Sequence, residues 1–404
     1  MNLVFIAPFA FWPKATVSAR MLPMATALAR HGHSVLILIP PYDNPAESGK
    51  HWVQQGVKLE NLVIRSGWMP LLQQVQLTYQ IARRVRRARP DLVHVFKPVG
   101  PGALAMTQLY LTGERRIVLD NDDWEGHGGW LDINPYPALQ KRVMAWQERW
   151  CIRHARAITC ASDVLKTRSA EMQDTAWPVV VLPNGADSTL RQQVAQARER
   201  RDELRRQFGW DAYAVAIYTG TVPANHDLDI AAEAVRRLAH TQPQLKLVFI
   251  ATGDGLPSLQ ETIVKAGIEA LTEYHTFIPH ARLIERLVAA DIALYPYRDT
   301  NINRAKCSGK IVDYMAAGLP MVISDVGMNR VYIEDGQSGL LAKAGDTDTF
   351  TACLQRLLLE PEYATQLGNA AQARLWERFN WDQRSSELLE LYGSLSTSQA
   401  AALP

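Results

Sequence analysis

The sequence predicts an α/β protein of two doubly wound parallel-sheet domains, and three observations lead there. Short apolar runs of strand length alternate with segments of helical apolar spacing along nearly the whole chain. That alternation breaks once, at a charged stretch over residues 192–207, and then restarts. At 404 residues the chain also exceeds the size at which a single core stops growing, roughly 250–300 residues.

The elements follow in order. Residues 3–7 are an apolar run closed by Pro8. Residues 19–30 carry apolar side chains at helical spacing until His31, Gly32 and His33 stop them, and residues 35–39 are a second apolar run. Strand, loop, helix and strand in this order make a βαβ unit, whose parallel strands need helices on both faces, so the opening is Rossmann-like. The pattern predicts a helix at 77–88, a strand at 92–96, a helix at 104–111 and a strand at 116–120. A long amphipathic helix at 138–154 and strands at 157–160 and 179–182 follow, up to the turn Pro183, Asn184, Gly185. Residues 192–207, dense in arginine, glutamate and glutamine, read as one exposed helix at a domain junction. Strands are then expected at 214–218, 246–251, 275–278, 292–295 and 321–324, with helices at 228–239, 256–266, 281–289 and 310–317. Helices at 347–359, 361–379 and 381–395 complete the chain, with a frayed tail from Ser396. The expected domains are 1–187 and 188–379, with 380–404 a closing helix that packs back on the first domain. In open α/β sheets ligands sit at the carboxyl ends of the strands, so two such domains are expected to face each other across a cleft.

Composition narrows the function. Forty-three Lys+Arg against 41 Asp+Glu leave a net charge of +2, which offers no global field for nucleic acid. Cys151, Cys160, Cys307 and Cys353 are far apart with no CxxC pair, fitting free thiols in a reducing compartment better than disulfides or a zinc site. The apolar opening lacks a basic leader and a small-residue cleavage site, and no run approaches the roughly eighteen apolar residues of a membrane span. A cytoplasmic protein is expected.

The strongest chemical signal is residues 303–327, NRAKCSGKIVDYMAAGLPMVISDVG, where a basic, small-residue loop runs into a helix, a Gly-Leu-Pro turn and a buried strand. A helix N-terminus with free N–H groups and nearby cations is a ready anion site. Arg304, Lys306 and Lys310 offer charge for a diphosphate, Ser308 a hydroxyl donor, and Asp313, one turn beyond Lys310, an acceptor for a ribose hydroxyl.

This block resembles the donor-binding segment of the family-four retaining glycosyltransferases of GT-B fold (glycosyl transferases group 1), whose usual form is close to SPxKxxEYMAxGxPVV. Lys310 matches the family lysine, Asp313 stands where the ribose-binding glutamate is usual, and Met315, Ala316, Gly318 and Pro320 fit. Residues 182–187, LPNGAD, resemble the PNGVD signature between the domains. Residues 217–221, IYTGT, resemble the first strand and phosphate loop of the family's second domain, with Gly220 and Thr221 at the loop. Residues 249–255, FIATGDG, resemble its GDG turn through Gly253 and Asp254. Residues 281–296 resemble the helix and strand beside the nucleobase, and 336–341 the GxxGLL turn.

The resemblance implies transfer of a sugar from a nucleotide-diphosphate donor, UDP- or GDP-linked, to an acceptor hydroxyl, with retention and without an obligatory metal or other cofactor. It makes 1–187 the acceptor side and 188–379 the donor-nucleotide side. Three departures stand out. The acidic residue usual eight positions before the ribose acid is Ala305. The arginine after the phosphate-loop glycine is Thr221, with His226 or Asp227 near the usual lysine, which leaves Arg304 or Lys306 to supplement Lys310. The glycine-rich loop after the first strand is replaced by Pro13-Lys14-Ala15-Thr16, where Lys14 could reach a phosphate or simply be solvated.

Residues 120–129, DNDDWEGHGG, lie at a strand end where the family often has a histidine near the reacting sugar. Asp122, Asp123 and His127 are candidates to orient an acceptor hydroxyl or to bind a cation; a helix cap and turn is the bland alternative. Arg83, Arg84, Arg86, Arg87 and Arg89 cluster on a helix whose other face carries Leu77, Ile81 and Val85, which suits either anionic lipid or the helix dipole. Trp124, Trp130, Trp146 and Trp150 are candidates to stack on sugar, although the spacing of Trp146 and Trp150 suits core packing. In the enzyme reading Lys310, Asp122 and His127 are catalytic, while Gly220, Thr221, Gly253, Asp254, Arg304, Lys306, Ser308 and Asp313 bind the donor. A non-catalytic sugar-nucleotide-binding or scaffold protein is the alternative that Ala305 and Thr221 motivate. A sugar-nucleotide epimerase of the same overall fold comes third. An NAD-dependent dehydrogenase is opposed by the absence of GxGxxG after the first strand, which reads APFAFWP.

Overall fold

A computed structural model describes residues 1–397 apart from Ser66, Trp68, Asn225 and Phe277. Fourteen strands are found among these residues: β1 (Asn2–Ile6), β2 (Ser34–Ile39), β3 (His51–Gln54), β4 (Val57–Asn61), β5 (Leu92–Phe96), β6 (Ile117–Asn121), β7 (Ala157–Cys160), β8 (Val179–Val181), β9 (Ala214–Thr221), β10 (Leu245–Thr252), β11 (Thr272–His275), β12 (Ile292–Tyr295), β13 (Met321–Ser324) and β14 (Leu340–Ala342). They form two sheets, each in its own unit. The first unit comprises Met1–Gly185, Ala305–Cys307 and the chain from Trp381; the second comprises Ala186–Arg304 and Ser308–Asn380.

In the first unit the sheet order is β3-β4-β2-β1-β5-β6-β7-β8, parallel except for the β3–β4 hairpin. The near-continuous apolar β1 is buried on both faces, as a central parallel strand requires. Leu3, Phe5 and Ala7 face one core with Val35, Ile37 and Ile39, while Val4 and Ile6 face the other with Leu36 and Leu38. The first of these cores is finished by the closing helix Trp381–Thr397, which inserts Trp381, Leu388, Leu391, Tyr392 and Leu395. In the second unit the order is β11-β10-β9-β12-β13-β14, all parallel in the recorded pairings. None of the described helices is long and apolar enough to cross a membrane.

Several elements differ from the sequence expectation. The β3–β4 hairpin was not expected: it turns on Gln55 and Gly56, both at positive φ, and Val53 of this edge strand is 67% exposed, so its alternation is weak. The helix Asp163–Met172, capped by the Ser162 hydroxyl, and the three-residue β14 were also unforeseen. The charged stretch at 192–207 forms two helices, Ser188–Glu199 and Arg201–Phe208, because Arg200 leaves helical geometry between them. The strand expected at 275–278 lies earlier, as β11; Phe277 falls outside the described residues, as does the expected tail from residue 398 onward. Trp146 is 48% exposed rather than core, and half-buried Trp150 stacks on His154.

Candidate functional site

In the second sheet β9 lies beside both β10 and β12, so the chain reverses its direction of winding there. The crevice outside the strand ends at such a switch point is where open α/β sheets take ligands. The helix Gly309–Ala317 starts at this point, and its first free N–H groups are only partly claimed: the Ser308 hydroxyl, as N-cap, accepts from the Lys310 N–H at 3.3 Å. Helix and sheet are tied by Tyr314, whose hydroxyl accepts from the Thr219 N–H at 2.9 Å.

Lys310 folds over the end of β9. Its ammonium donates to the Tyr218 hydroxyl at 3.2 Å and lies 5.1 and 5.8 Å from the Tyr218 and Tyr295 ring centres. Gly220 makes this possible: at φ +115° it takes a conformation open to glycine, and a Cβ there would overlap the Lys310 Cε. Among the described residues no carboxylate neutralises Lys310, and desolvation lowers its pKa to about 8. Burial raises the pKa values of Tyr218, Tyr295 and Tyr314, so the surrounding phenols stay neutral. The result is a part-buried ammonium beside a helix N-terminus with no anion of its own.

The other donor candidates scatter around this point. Thr221 ends β9, exposed, with its carbonyl accepting from Tyr218 at 3.3 Å. Gly253, at φ +122°, lets the turn after β10 approach the Val222 carbonyl, and Asp254 beside it is exposed. Asp313 accepts from His280 at 3.1 Å, and its charge raises the His280 pKa. Arg304 lies exposed on the short helix Asn301–Ala305, paired with Asp299. Asp227, one stand-in for the usual lysine, is bound by Arg298 at 2.9 Å and Asn303 at 3.1 Å; His226, the other, accepts from the Leu228 N–H at 3.2 Å. Arg298 is a cation that the sequence reading missed, and Asp227 and Asp229 neutralise it.

The first unit holds a second polar cluster at its own switch point, beyond the ends of β1, β5 and β6. Arg20 is 2% exposed and clamps buried Asp120 with two hydrogen bonds of 2.7 Å, reaching also Asn184 and the Leu182 carbonyl. Burial by itself would raise the Asp120 pKa, but the Arg20 charge and hydrogen bonds hold it below the ordinary value. Lys97, 4% exposed and at φ +64°, places its ammonium 3.1 Å from Asp122, 2.5 Å from Asp123 and 2.7 Å from Glu125. These three carboxylates outweigh desolvation and raise the Lys97 pKa. Asp122 goes the other way: burial lifts its pKa to about 7, Lys97 opposes this, and repulsion from Asp123 and Asp120 adds to it. Neither Arg20 nor Lys97 was singled out from the sequence.

His127 is outside this cluster. Its side chain is 68% exposed and faces Asp132, on the short helix Trp130–Ile133 that follows its loop, at 3.2 Å. The loop is pinned instead by buried Glu148, which accepts from the Gly126 N–H at 3.0 Å and pairs with Arg168. Trp124 lies under Arg168 and donates to the His127 carbonyl. Lys306 stands 5.6 Å from the Trp130 ring, and Lys14 4.3 Å from Phe9. Ala305 is buried in the first unit's apolar core, a place hostile to an acid.

Two Rossmann-like sheets, each with a polar cluster at its switch point, follow the GT-B plan, and comparison with known proteins gives the family. Residues 16–185 match the glycosyl transferase 4-like domain and residues 200–374 the glycosyl transferases group 1 model. The chain is 25% identical over 316 residues to glycogen synthase of Mycobacterium tuberculosis, covering 76% of this chain and 69% of that protein. It is 28% identical over 235 residues to D-inositol 3-phosphate glycosyltransferase of Thermomonospora curvata, covering 55% and 53%. Among solved structures, sucrose-phosphate synthase from Thermosynechococcus elongatus superposes with a TM-score of 0.75 at 16% identity, covering 98% of this chain and 99% of that one. Anabaena HepE in complex with UDP and glucose does so with 0.72 at 17%, covering 98% and 100%. The chain belongs to the group 1, family-four-like glycosyltransferases, enzymes that use nucleotide sugars.

Proposed function

We propose that this enzyme transfers a sugar from a UDP- or GDP-sugar to an acceptor hydroxyl, with retention at the anomeric carbon and without an obligatory metal or cofactor. The second unit takes the donor. As the glycosidic bond breaks, negative charge builds on the leaving diphosphate, and the Lys310 ammonium and the N–H groups opening helix Gly309–Ala317 meet it. Gly220, Thr221, Gly253 and Asp254 let backbone approach the phosphates, Ser308 contributes a hydroxyl, and Asp313, oriented by His280, accepts from the ribose. Arg304 plays a lesser part, since it is already paired with Asp299, and Lys306 belongs to the first unit, beside Trp130. The first unit takes the acceptor, with Asp122 beside its hydroxyl; a carboxyl with a pKa of about 7 can both accept and return a proton near neutrality.

The observation that carries this reading is Lys310, a half-desolvated cation with no carboxylate among the described residues, at a strand switch point. HepE was solved with UDP-glucose, which supports a nucleotide-sugar donor here. The test is release of nucleoside diphosphate from a panel of UDP-, GDP- and ADP-sugars, with and without chelator. Release should persist in chelator and fall by about a hundredfold or more in Lys310→Ala, the range for removing one transition-state donor. Release lost to chelator, or unchanged in the variant, would overturn the assignment.

A further inference from the structure

We propose that the solvent face of helix Pro70–Ala88 in the first unit is a docking surface for an anionic lipid bilayer. The helix buries Leu77, Ile81, Ala82 and Val85 against its domain. On its outer side lies a second apolar stripe that the described residues leave largely exposed: Leu71 is 73% exposed, Leu72 45%, Val75 59% and Tyr79 55%. Leu71, Val75, Tyr79, Arg83 and Arg86 follow one another at steps of three and four residues, so they share a single helical face. Its first half is therefore aliphatic and its last half cationic. Tyr79, Arg83, Arg86, Arg87 and Arg89 line an open depression of about 470 Å³. Among the described residues none of these four arginines has an ion-pair partner, whereas Arg84, one position along, is held by Glu60. Arg86 donates to Thr112 at 2.8 Å, which brings Leu111, itself 73% exposed, to the edge of the same patch.

A macrodipole explains one or two cations at a helix C-terminus, not large aliphatic side chains on the same solvent face. Nucleic acid would use the arginines and leave the leucines wet. A second copy of the face would set guanidinium groups against each other. An anionic bilayer satisfies both halves: lipid phosphates pair with guanidinium groups, Leu71, Leu72 and Val75 enter the acyl boundary, and Tyr79 lies at the headgroup level between them.

The full-length protein is sedimented with vesicles of phosphatidylcholine alone and of equal parts phosphatidylcholine and phosphatidylglycerol, across a salt series. Binding is expected only to the mixed vesicles. A triple variant, Arg83→Gln, Arg86→Gln and Arg87→Gln, should lower partitioning by about a hundredfold, roughly fivefold per arginine. Leu71→Ser with Val75→Ser should weaken binding most at high salt, where the apolar contact carries what screening leaves. Every substituted side chain is exposed, so release of nucleoside diphosphate from a soluble donor should be unchanged, which separates this surface from the donor site. Equal binding to neutral vesicles, no binding by the wild type, or full binding by the triple variant would overturn the proposal. So would self-association or binding of DNA that the triple substitution abolishes while vesicle binding persists.

Discussion

Lys310 brings the residue-scale electrostatics to a measurable point. A lysine with its pKa lowered to about 8 carries its charge below that pH and loses it above. Under the proposed function the affinity of the free protein for a nucleoside diphosphate should be level below pH 8 and fall with a slope approaching tenfold per unit above it. Lys310→Arg, always charged, should remove the break, as read by calorimetric titration from pH 6.5 to 9.5. A break that survives the substitution would assign it to another group. Lys310 stood out in the sequence because the parts of the proposed anion site, a small-residue loop, a helix start and a cation, are local in the chain. Arg20 and Lys97 were not. Lys97 follows an ordinary strand, and its carboxylates at 122, 123 and 125 meet it only because β5 and β6 lie side by side with Phe96 opposite Asp120.

At the scale of elements, the closing helix is tied into the first sheet by a buried relay. Thr159 donates to Asp120 at 2.6 Å, so its oxygen is left to accept from His94 Nε2 at 3.2 Å. His94 Nδ1 must then accept from the Tyr392 hydroxyl at 2.6 Å. This arrangement needs a neutral imidazole, and burial lowers the His94 pKa from 6.5 to about 4. Its folded pKa lies below the unfolded one, so the neutral histidine stabilises fully above pH 6.5. That contribution is lost as the pH falls toward 4, by about 3 kcal/mol in all. The pH dependence of denaturant unfolding between 6.5 and 4 should be shallower in His94→Gln by this amount; equal slopes would remove His94 from the account. Tyr392→Phe leaves Nδ1 without its donor and should cost about 1–3 kcal/mol, seen as a lower Tm at pH 7. The helix itself was readable from its apolar spacing, whereas β3, β4 and β14 were not. They are short and lie at or near sheet edges, where half-exposed positions blur the alternation.

For the whole molecule, the two-sheet plan was legible because parallel strands buried on both faces leave unmistakable apolar runs. The pairing order was not, since β1 and β5 are neighbours despite 85 intervening residues. The recurrence of strand, turn and helix from residue 214 onward, with the motifs at 217–221, 249–255 and 303–327 in sequence, made the family readable as well. A chain cut after Asn380 should fail in its first unit only. Each large apolar side chain of the closing helix contributes about 1.5–3 kcal/mol, so their sum rivals the 5–15 kcal/mol that holds a domain folded. Dye binding to exposed apolar surface should rise sharply and the first unit's melting transition should vanish; an unaltered melting curve would contradict the role given to this helix.

That same route of the chain sets an order of events during synthesis. Residues 186–304 and 308–380 are made in nearly one piece and can condense as they leave the ribosome. The sheet built from the first 185 residues stands earlier in translation but waits longest, one face only partly covered until the closing helix emerges. What is translated earlier is thus completed last, and in that interval the apolar strip that the closing helix will cover stays in contact with water.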